Sequence, residues 1–323
     1  MSLPHATSDP DRPTLQPVTM HLHTPADPAI ARVVANDRCT AGTKSAGIVR
    51  HIALDISHTR LAGKFIPGQS FGVIPPGTDP KGRPHKLRLY SLASPSAGED
   101  GDGSVIATTV KRTIDEHWDD HSLFLGVASN YLCDLQIGDE VRLTGPSGKR
   151  FVLPQNPADH DFLFIATGTG IAPFRGMMME LADKAPKSRV TLLMGVPYAT
   201  DLLYHQQLTD LTHAHEHWHY LPALSRHHQD DGTEPQYVHE LLRRSAEIAL
   251  PLLENPRTLI YLCGVAGMEL GVFRALANFL PPPALKQFLH IDPETLASDE
   301  PWTSRMIHRS IKPTRRVFTE VYA

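Results

Sequence analysis

Between Gly47 and Gly145 the chain alternates short apolar runs with clusters of turn residues. The runs GIVRHIALDIS (47–57), QSFGVIP (69–75), KLRLYSLAS (86–94), SVIATTVKRTI (104–114) and DEVRLTG (139–145) are rich in Val, Ile and Thr, with PPGTDPKGRP and GEDGDG between them. β-Branched residues suit a pleated, half-buried surface, so this half is predicted to be an antiparallel barrel or sandwich. One helical turn is predicted at SNYLCDL (129–135), with Ser129 as its N-cap.

After PQNPADHD (154–161) the rhythm changes to strand, glycine turn, helix, strand. FLFIA (162–166), VTLLMGV (190–196), HYLPALS (219–225) and TLIYLCG (258–264) are continuous apolar runs, separated by helical stretches at about 173–184, 201–211, 236–250 and 268–280. Strands without alternation fit a parallel sheet covered on both faces, so a doubly wound α/β domain is expected. The prolines at 281–283 are expected to stop the last helix, since none can donate a backbone hydrogen bond. Residues 1–34 carry Pro, Thr, Asp and His with no hydrophobic period and are read as a mobile arm. The β domain is assigned to 35–157 and the α/β domain to 158–323.

Composition narrows the class. A chain of 323 residues favours two cores, and 41% hydrophobic with 20% charged residues excludes a disordered or fibrous chain. The formal net charge of -4, without a long basic stripe, argues against a nucleic-acid partner. No window is apolar enough to span a bilayer, and MSLPHATSDPDRPTLQP lacks the basic-then-apolar order of an export signal, so a cytoplasmic protein is expected. Cys39, Cys133 and Cys263 form no CxxC pair, which leaves no zinc or iron–sulfur signature.

Three stretches carry candidate chemistry. In PHKLRLYSLAS (84–94), alternation puts Arg88 and Tyr90 on one side of a strand and Leu87, Leu89 and Ser91 on the other, with the leucines expected in the core. In FIATGTGIAPFRGM, a strand runs into Thr167-Gly168-Thr169-Gly170, with Pro173 near the first helical position. Such a loop either cradles a phosphate on unpaired helix amides or is a tight strand-to-helix turn. No acidic residue follows at the end of the next strand, in MGVPYAT, so the usual ribose grip of a dinucleotide fold is missing. Cys263 falls at the carboxyl end of the last apolar run, where open α/β sheets bind ligands, and is either a ligand contact or a small buried hydrophobe. The helix start at Ser129 offers a second anion site.

PHKLRLYSLAS, GVASNYLCDL, TGPSGK, ATGTGIAPFRG, MGVPYATDLLY, YLCGVAGMELG and the terminal EVYA, in this order and at these spacings, resemble the plant-type ferredoxin–NADP(+) reductase family over nearly all of the chain after the arm. The resemblance implies an antiparallel Greek-key β-barrel that binds FAD, followed by a doubly wound α/β domain that binds NADP(H). Arg88 would pair with the FAD pyrophosphate, Tyr90 would lie against the isoalloxazine and Ser91 would hydrogen-bond near flavin N5. The backbones of Leu89, Val110 and Lys111 would meet the cofactor, and Gly126, Val127, Ala128 and Ser129 would receive the pyrophosphate. Gly168, Thr169 and Gly170 would cradle NADP phosphates, with Val196, Pro197 and Met268 beside them. Ser225 and Arg226 would hold the 2′-phosphate, Tyr237 would stack on adenine, and His239 belongs to the same set. Cys263 and Gly264 would flank the nicotinamide. Glu320 would complete a proton path with Ser91, and Tyr322 would cover the flavin and move before nicotinamide stacks.

Several positions depart from the family pattern. Pro235 stands where lysine is frequent and His239 where glutamine is, which weakens the expected preference for NADPH. Ala128 replaces a frequent cysteine, Ala166 replaces the first glycine of the loop, and Asp115 stands near the place of a frequent adenine-stacking tyrosine, for which Trp118 would serve instead. Ala323 extends the chain past Tyr322. His213, His215, His217 and His219 alternate, but neighbours on one strand face are too far apart to chelate one ion, so a solvated patch is expected and no metal site is assigned. KGRPHK and KPTRR read as solvated surface that would steer an acidic carrier if they ring the flavin edge. The resulting expectation is a flavoenzyme exchanging hydride with NADP(H) and single electrons with ferredoxin or flavodoxin. The alternatives are the NAD(P)H-dependent reductase of an oxygenase system and a non-catalytic flavoprotein interaction subunit.

Overall fold

The computed structural model describes residues 12–42, 44–228, 232–298 and 300–322. The chain divides into two units. One comprises residues 17–152 with 172–180; the other comprises the rest from 153 onward and the first sixteen residues. The units change over at 152/153, and a short helical segment of the second half belongs to the first unit.

The first unit contains β1 (Ala29–Arg38), β2 (Val49–Asp55), β3 (Ser70–Val73), β4 (Arg88–Ser91), β5 (Val105–Lys111), β6 (Ile114–Glu116), β7 (Leu123–Leu125), α1 (Val127–Asp134) and β8 (Glu140–Ser147). Six strands form one antiparallel sheet in the order β4-β3-β8-β1-β2-β5. It closes on itself where the chain leaving β4 bridges β5, Leu92 opposite Thr108. β6 and β7 form a separate hairpin. Inside lie Ile52, Leu54, Ile56, Phe71, Val73, Leu92, Val141 and Leu143, all at most 1% exposed. Each contributes about 1.5–3 kcal/mol by leaving water, which holds the barrel around its contents.

The second unit contains β9 (Asp161–Thr167), most of its flank of helices, and β10 (Val190–Val196), β11 (Trp218–Leu224), β12 (Thr258–Val265) and β15 (Val317–Tyr322). In chain order between them run α2 (Ile171–Lys184), of which residues 172–180 belong to the first unit, α3 (His205–His213), α4 (Leu241–Arg244), α5 (Ala246–Leu253), α6 (Met268–Phe279), α7 (Pro282–Phe288), β13 (Leu289–Ile291), α8 (Pro293–Ala297) and β14 (Ile311–Pro313). The five long strands are all parallel, in the order β11-β10-β9-β12-β15. The winding reverses between β9 and β12, so their carboxyl ends mark the point where such sheets hold ligands. Leu163, Ile165, Ile260, Leu262, Val272, Phe273, Leu276 and Phe288 pack the core on one side. No helix among the described residues is long and apolar enough to cross a membrane.

Several sequence expectations change. The stretch 1–34 is not one structureless arm: Ala29–Arg38 is β1, with Ala29, Ala31 and Val33 turned inward. Ahead of it, Gln155 donates to the Thr14 carbonyl at 2.8 Å, and His23 exchanges backbone bonds with Gly145 at 3.1 and 3.0 Å. Residues 1–11 lie outside the described residues. The prolines at 281–283 do more than stop a helix. α6 ends at Phe279, and Pro281 is the N-cap of α7, whose first positions are prolines because the amides there have no intrahelical partner. The four alternating histidines do not share a strand: His213 ends α3, His219 lies on β11, and His215 stacks on Trp218 at 4.3 Å. No group of three or more metal-ligating side chains occurs among the described residues.

Candidate active site

The candidate residues fall into two sets, one in each unit. In the barrel unit, Arg88, Leu89, Tyr90 and Ser91 are β4, an end strand of the sheet, paired with Val73, Gly72, Phe71 and Ser70 of β3. The expected facing is corrected here. Tyr90 packs against the core cluster, while Leu89 is 58% exposed. The partner opposite Leu89 is Gly72, which offers it no side chain, whereas the Leu87 methyls close over Gly72. Arg88 is exposed, its guanidinium donates only to the neighbouring Leu87 carbonyl at 3.2 Å, and no carboxylate pairs with it among the described residues. The Tyr90 hydroxyl is pushed up to about 12, first by burial and then by the nearby Cys133, with Arg88 opposing.

Ser129 is also repositioned. α1 begins at Val127 with Gly126 as N-cap, so Ser129 is the third helical residue. Its hydroxyl accepts from the Thr113 amide at 3.1 Å and donates to the Gly126 carbonyl at 3.2 Å. No side chain caps the helix, so Gly126, Val127, Ala128 and Ser129 bring a first turn whose amides no side chain satisfies. A side chain at Gly126 would strike Ser129 Oγ and Thr113 Cβ, both at 2.7 Å, which is why the turn before α1 is glycine. Val110 and Lys111 lie at the end of β5, the other terminal strand, whose outer edge no strand among the described residues covers beyond Thr108. An unpaired guanidinium, an uncapped helix start, an open strand edge and an uncovered leucine beside a half-buried tyrosine fit the polar and apolar parts of FAD.

In the α/β unit the geometry centres on the ends of β9 and β12. Gly168–Gly170 is a single 3-10 turn leading into α2, which begins at Ile171, so Pro173 is its third residue and not its first. Gly168 has φ +52°, a left-handed conformation that glycine adopts without strain. Gly170 is needed for another reason: a Cβ there would lie 2.1 Å from the Cys263 carbonyl oxygen. Gly264 is equally confined, with Thr167 Oγ1 2.0 Å from where its Cβ would be. Thr167, which sequence reasoning passed over, ties this knot by accepting from the Val265 amide at 3.0 Å and donating to Met268 Sδ at 3.2 Å. Its only sequence signal was its place at the head of the TGTG run.

Cys263 is fully buried, and burial pushes its thiol well up, with Glu320 adding to the effect. Glu320 sits opposite it in the β12–β15 register, and Tyr322 sits opposite Val265. The Tyr322 hydroxyl meets Thr169 Oγ1 at 2.8 Å, and its proton is held more tightly than in a free tyrosine, first by burial and then by Cys263, while Thr169 opposes. Gly168, Thr169, Gly170, Cys263, Gly264, Met268, Glu320 and Tyr322 are therefore brought to one end of the sheet. Ala323 lies outside the described residues.

The remaining candidates gather at the ends of β10 and β11. The Ser225 amide donates to the Val196 carbonyl at 2.9 Å and the Arg226 amide to that of Pro197 at 3.0 Å. Arg226 is exposed and forms no ion pair among the described residues, although 229–231 of the same loop lie outside them. Tyr237 is 65% exposed, and its ring runs parallel to that of His239 at 5.9 Å. The first turn of α2 has no side-chain cap, so its amides and the glycine turn fit a phosphate, and the exposed Arg226 fits a second one. Trp118, on the β6–β7 hairpin, is 96% exposed.

Comparisons with known proteins show what the chain is similar to. Residues 164–273 match the family model described as "Oxidoreductase NAD-binding domain". The chain is 36% identical over 263 residues to the ferredoxin–NADP reductase of Spirulina sp, covering 79% of this chain and 87% of that one. It is 38% identical over 270 residues to the cyanelle ferredoxin–NADP reductase of Cyanophora paradoxa, covering 81% and 72%. Its fold matches that of a ferredoxin–NADP+ reductase variant from Plasmodium falciparum solved with 2′P-AMP, with TM-score 0.67, 21% identity, and coverage of 94% and 99%. On these relatives, the chain belongs to the ferredoxin–NADP reductase family.

Proposed function

We propose that the protein is a FAD-dependent ferredoxin–NADP(+) reductase in which each unit supplies one half of the chemistry. Bound FAD would accept two electrons with a proton from NADPH, or return them, and exchange them singly with the carrier protein. The chain's own task is binding, orientation and electrostatics. Arg88 presents a flat fork of donors to a pyrophosphate, Tyr90 presents an aromatic face, and Ser91 holds a hydroxyl for the reactive ring nitrogen. Leu89, Val110 and Lys111 contribute backbone and apolar surface, and Gly126 to Ser129 contribute helix amides.

On the other unit, Gly168, Thr169 and Gly170 receive phosphates at the start of α2, with Val196, Pro197 and Met268 lining the approach. Ser225 and Arg226 recognise the 2′-phosphate, and Tyr237 with His239 offers a paired aromatic surface to adenine. Cys263 and Gly264 border the nicotinamide position that Tyr322 occupies, and Glu320 places a carboxyl group opposite Cys263 in the strand register. The observation that supports this reading most directly is Gly170 pressed against the Cys263 carbonyl at the strand reversal, which aligns a phosphate loop with a strand end.

Ferredoxin is the partner this reading implies; flavodoxin as a substitute carrier and a cytoplasmic location belong to the same proposal. The test is stopped-flow mixing of the FAD-loaded protein with NADPH. Rapid bleaching of the flavin is expected, and Arg226→Ala should raise KM for NADPH about tenfold or more, the value of a charge-assisted hydrogen bond, while KM for NADH hardly moves. No bleaching by either nucleotide would leave the non-catalytic reading standing. Equal effects of the substitution on both nucleotides would remove the 2′-phosphate assignment.

A further inference from the structure

Arg175 lies in α2, is 7% exposed, and belongs with residues 172–180 to the unit that holds β4. Its Nη1 donates to Glu99 Oε1 at 2.6 Å and to the Ala93 carbonyl at 3.0 Å, and its Nη2 donates to Glu99 Oε2 at 2.9 Å. This is a two-point fork that a lysine cannot reproduce. The next residue, Gly176, comes so close to the chain that a Cβ would lie 2.4 Å from the Ser94 carbonyl oxygen. One turn further, Glu180 accepts from the Ser96 amide at 3.2 Å and its hydroxyl at 2.7 Å. The helix therefore grips the chain from 93 to 99.

That segment continues directly from Ser91. The Ser91 carbonyl accepts from Thr108 Oγ1 at 2.8 Å, the Leu92 amide donates to Gln69, and the Ala93 amide donates to Ala107 at 2.7 Å. These bonds come from the barrel; the Ala93 carbonyl is held instead by a charged group from the helix. Ala93 is fully buried, so its carbonyl has no water to turn to if the guanidinium goes.

We propose that Arg175 is a positioning residue for Ser91: by fixing the Ala93 carbonyl and the Glu99 loop, it sets the direction in which β4 presents the Ser91 hydroxyl. This deepens the role given to Ser91 above and rests on it. A support of this kind acts on the reacting step and not on nucleotide affinity.

The test is a double-mutant cycle on the FAD-loaded protein, with flavin bleaching by NADPH as the rate and hydrogen exchange as a second readout. Arg175→Met should lower kcat about tenfold, with KM for NADPH within about twofold and FAD content unchanged. In an S91A background the same substitution should add less than about a twofold loss, because both act through one hydroxyl. Multiplying effects, an unaltered kcat, or activity lost only in proportion to FAD would overturn the assignment. If S91A alone leaves kcat unchanged, the role of Ser91 falls and the Arg175 claim is decided by exchange: the Leu92 and Ala93 amides must exchange at least about tenfold faster in R175M, with Leu163 unaffected, or it falls too. Should R175M fail to fold, Glu99→Gln, which removes the charge and keeps an acceptor, takes its place, with a smaller kcat loss that must also vanish in S91A.

Discussion

The hydroxyls of Thr169 and Tyr322 lie 2.8 Å apart, joining the glycine turn after β9 to the last residue of β15. Both residues belong to the same unit, and the bond is reinforced by backbone pairing, since the Ala266 amide donates to the Tyr322 carbonyl at 2.8 Å. The ring is thus held at its tip and at its root.

Tyr322→Phe removes the tip bond and leaves the rest. A neutral hydrogen bond of this kind is worth about 0.5–1.5 kcal/mol. If the ring has to leave before nicotinamide stacks, NADP+ should bind roughly two- to tenfold tighter to the variant. Difference spectroscopy during a NADP+ titration measures this, and an unchanged dissociation constant would show that the bond does not restrain the ring.

The two glycines of the turn are expected to respond differently to alanine. Gly168→Ala meets open space but keeps a left-handed φ, so its cost is conformational, about 1 kcal/mol. Gly170→Ala drives a methyl into the backbone of the fully buried Cys263, where nothing flexible can yield, and should cost about 3 kcal/mol. Urea unfolding of the two variants gives the comparison; equal losses would mean that the strand ends are more pliable than the contact implies.

Thiol chemistry should be slow in the native protein. Burial raises all three cysteines, and Cys39 goes from the ordinary 9.0 to about 11, with Asp37 adding to burial while the His51 backbone, Arg175 and Arg50 oppose. At pH 8 a disulfide reagent should label none of them quickly, yet all three in denaturant. An unfolded chain releases the Cys39 proton near pH 9, whereas the folded chain keeps it until about pH 11, so this contribution is complete below pH 9 and lost as pH rises to 11. Cys39→Ser should flatten that decline; a wild-type curve already flat across the window would contradict the burial of this thiol.

The parts of the fold most readable in the sequence were those buried on two faces. β9, β10 and β12 are read from nearly continuous apolar runs because almost every one of their residues is buried, which leaves no alternation between two faces. β1 went unread although its burial alternates regularly, because its inward residues include Ala29 and Ala31, which are too small to stand out among the surrounding prolines and threonines. Leu89 misled for the opposite reason: a leucine on an alternating strand points to a core, yet this one stands opposite Gly72 and is 58% exposed.

In the candidate site, local features were legible and distant ones were not. The glycine turn, the uncapped start of α1 and the strand-end cysteine each sit within a few residues of their signal. Thr167 and Met268 are 101 positions apart, and Arg175 and Glu99 are 76 apart, so their meetings depend on the completed fold and leave no periodicity to detect. The capping role expected of Ser129 failed by three residues because its hydroxyl is already committed to Thr113 and Gly126.

β15 pairs with β12 along the edge that presents Cys263, yet it is made from residues synthesised long after β12. During translation that edge therefore waits as a row of unsatisfied amides and carbonyls, the kind of surface that recruits foreign strands. The nascent protein is accordingly most in need of a chaperone in the interval after β12 emerges and before Val317–Tyr322 follows, and a ribosome stalled in that interval should display the intermediate with the greatest tendency to associate with itself.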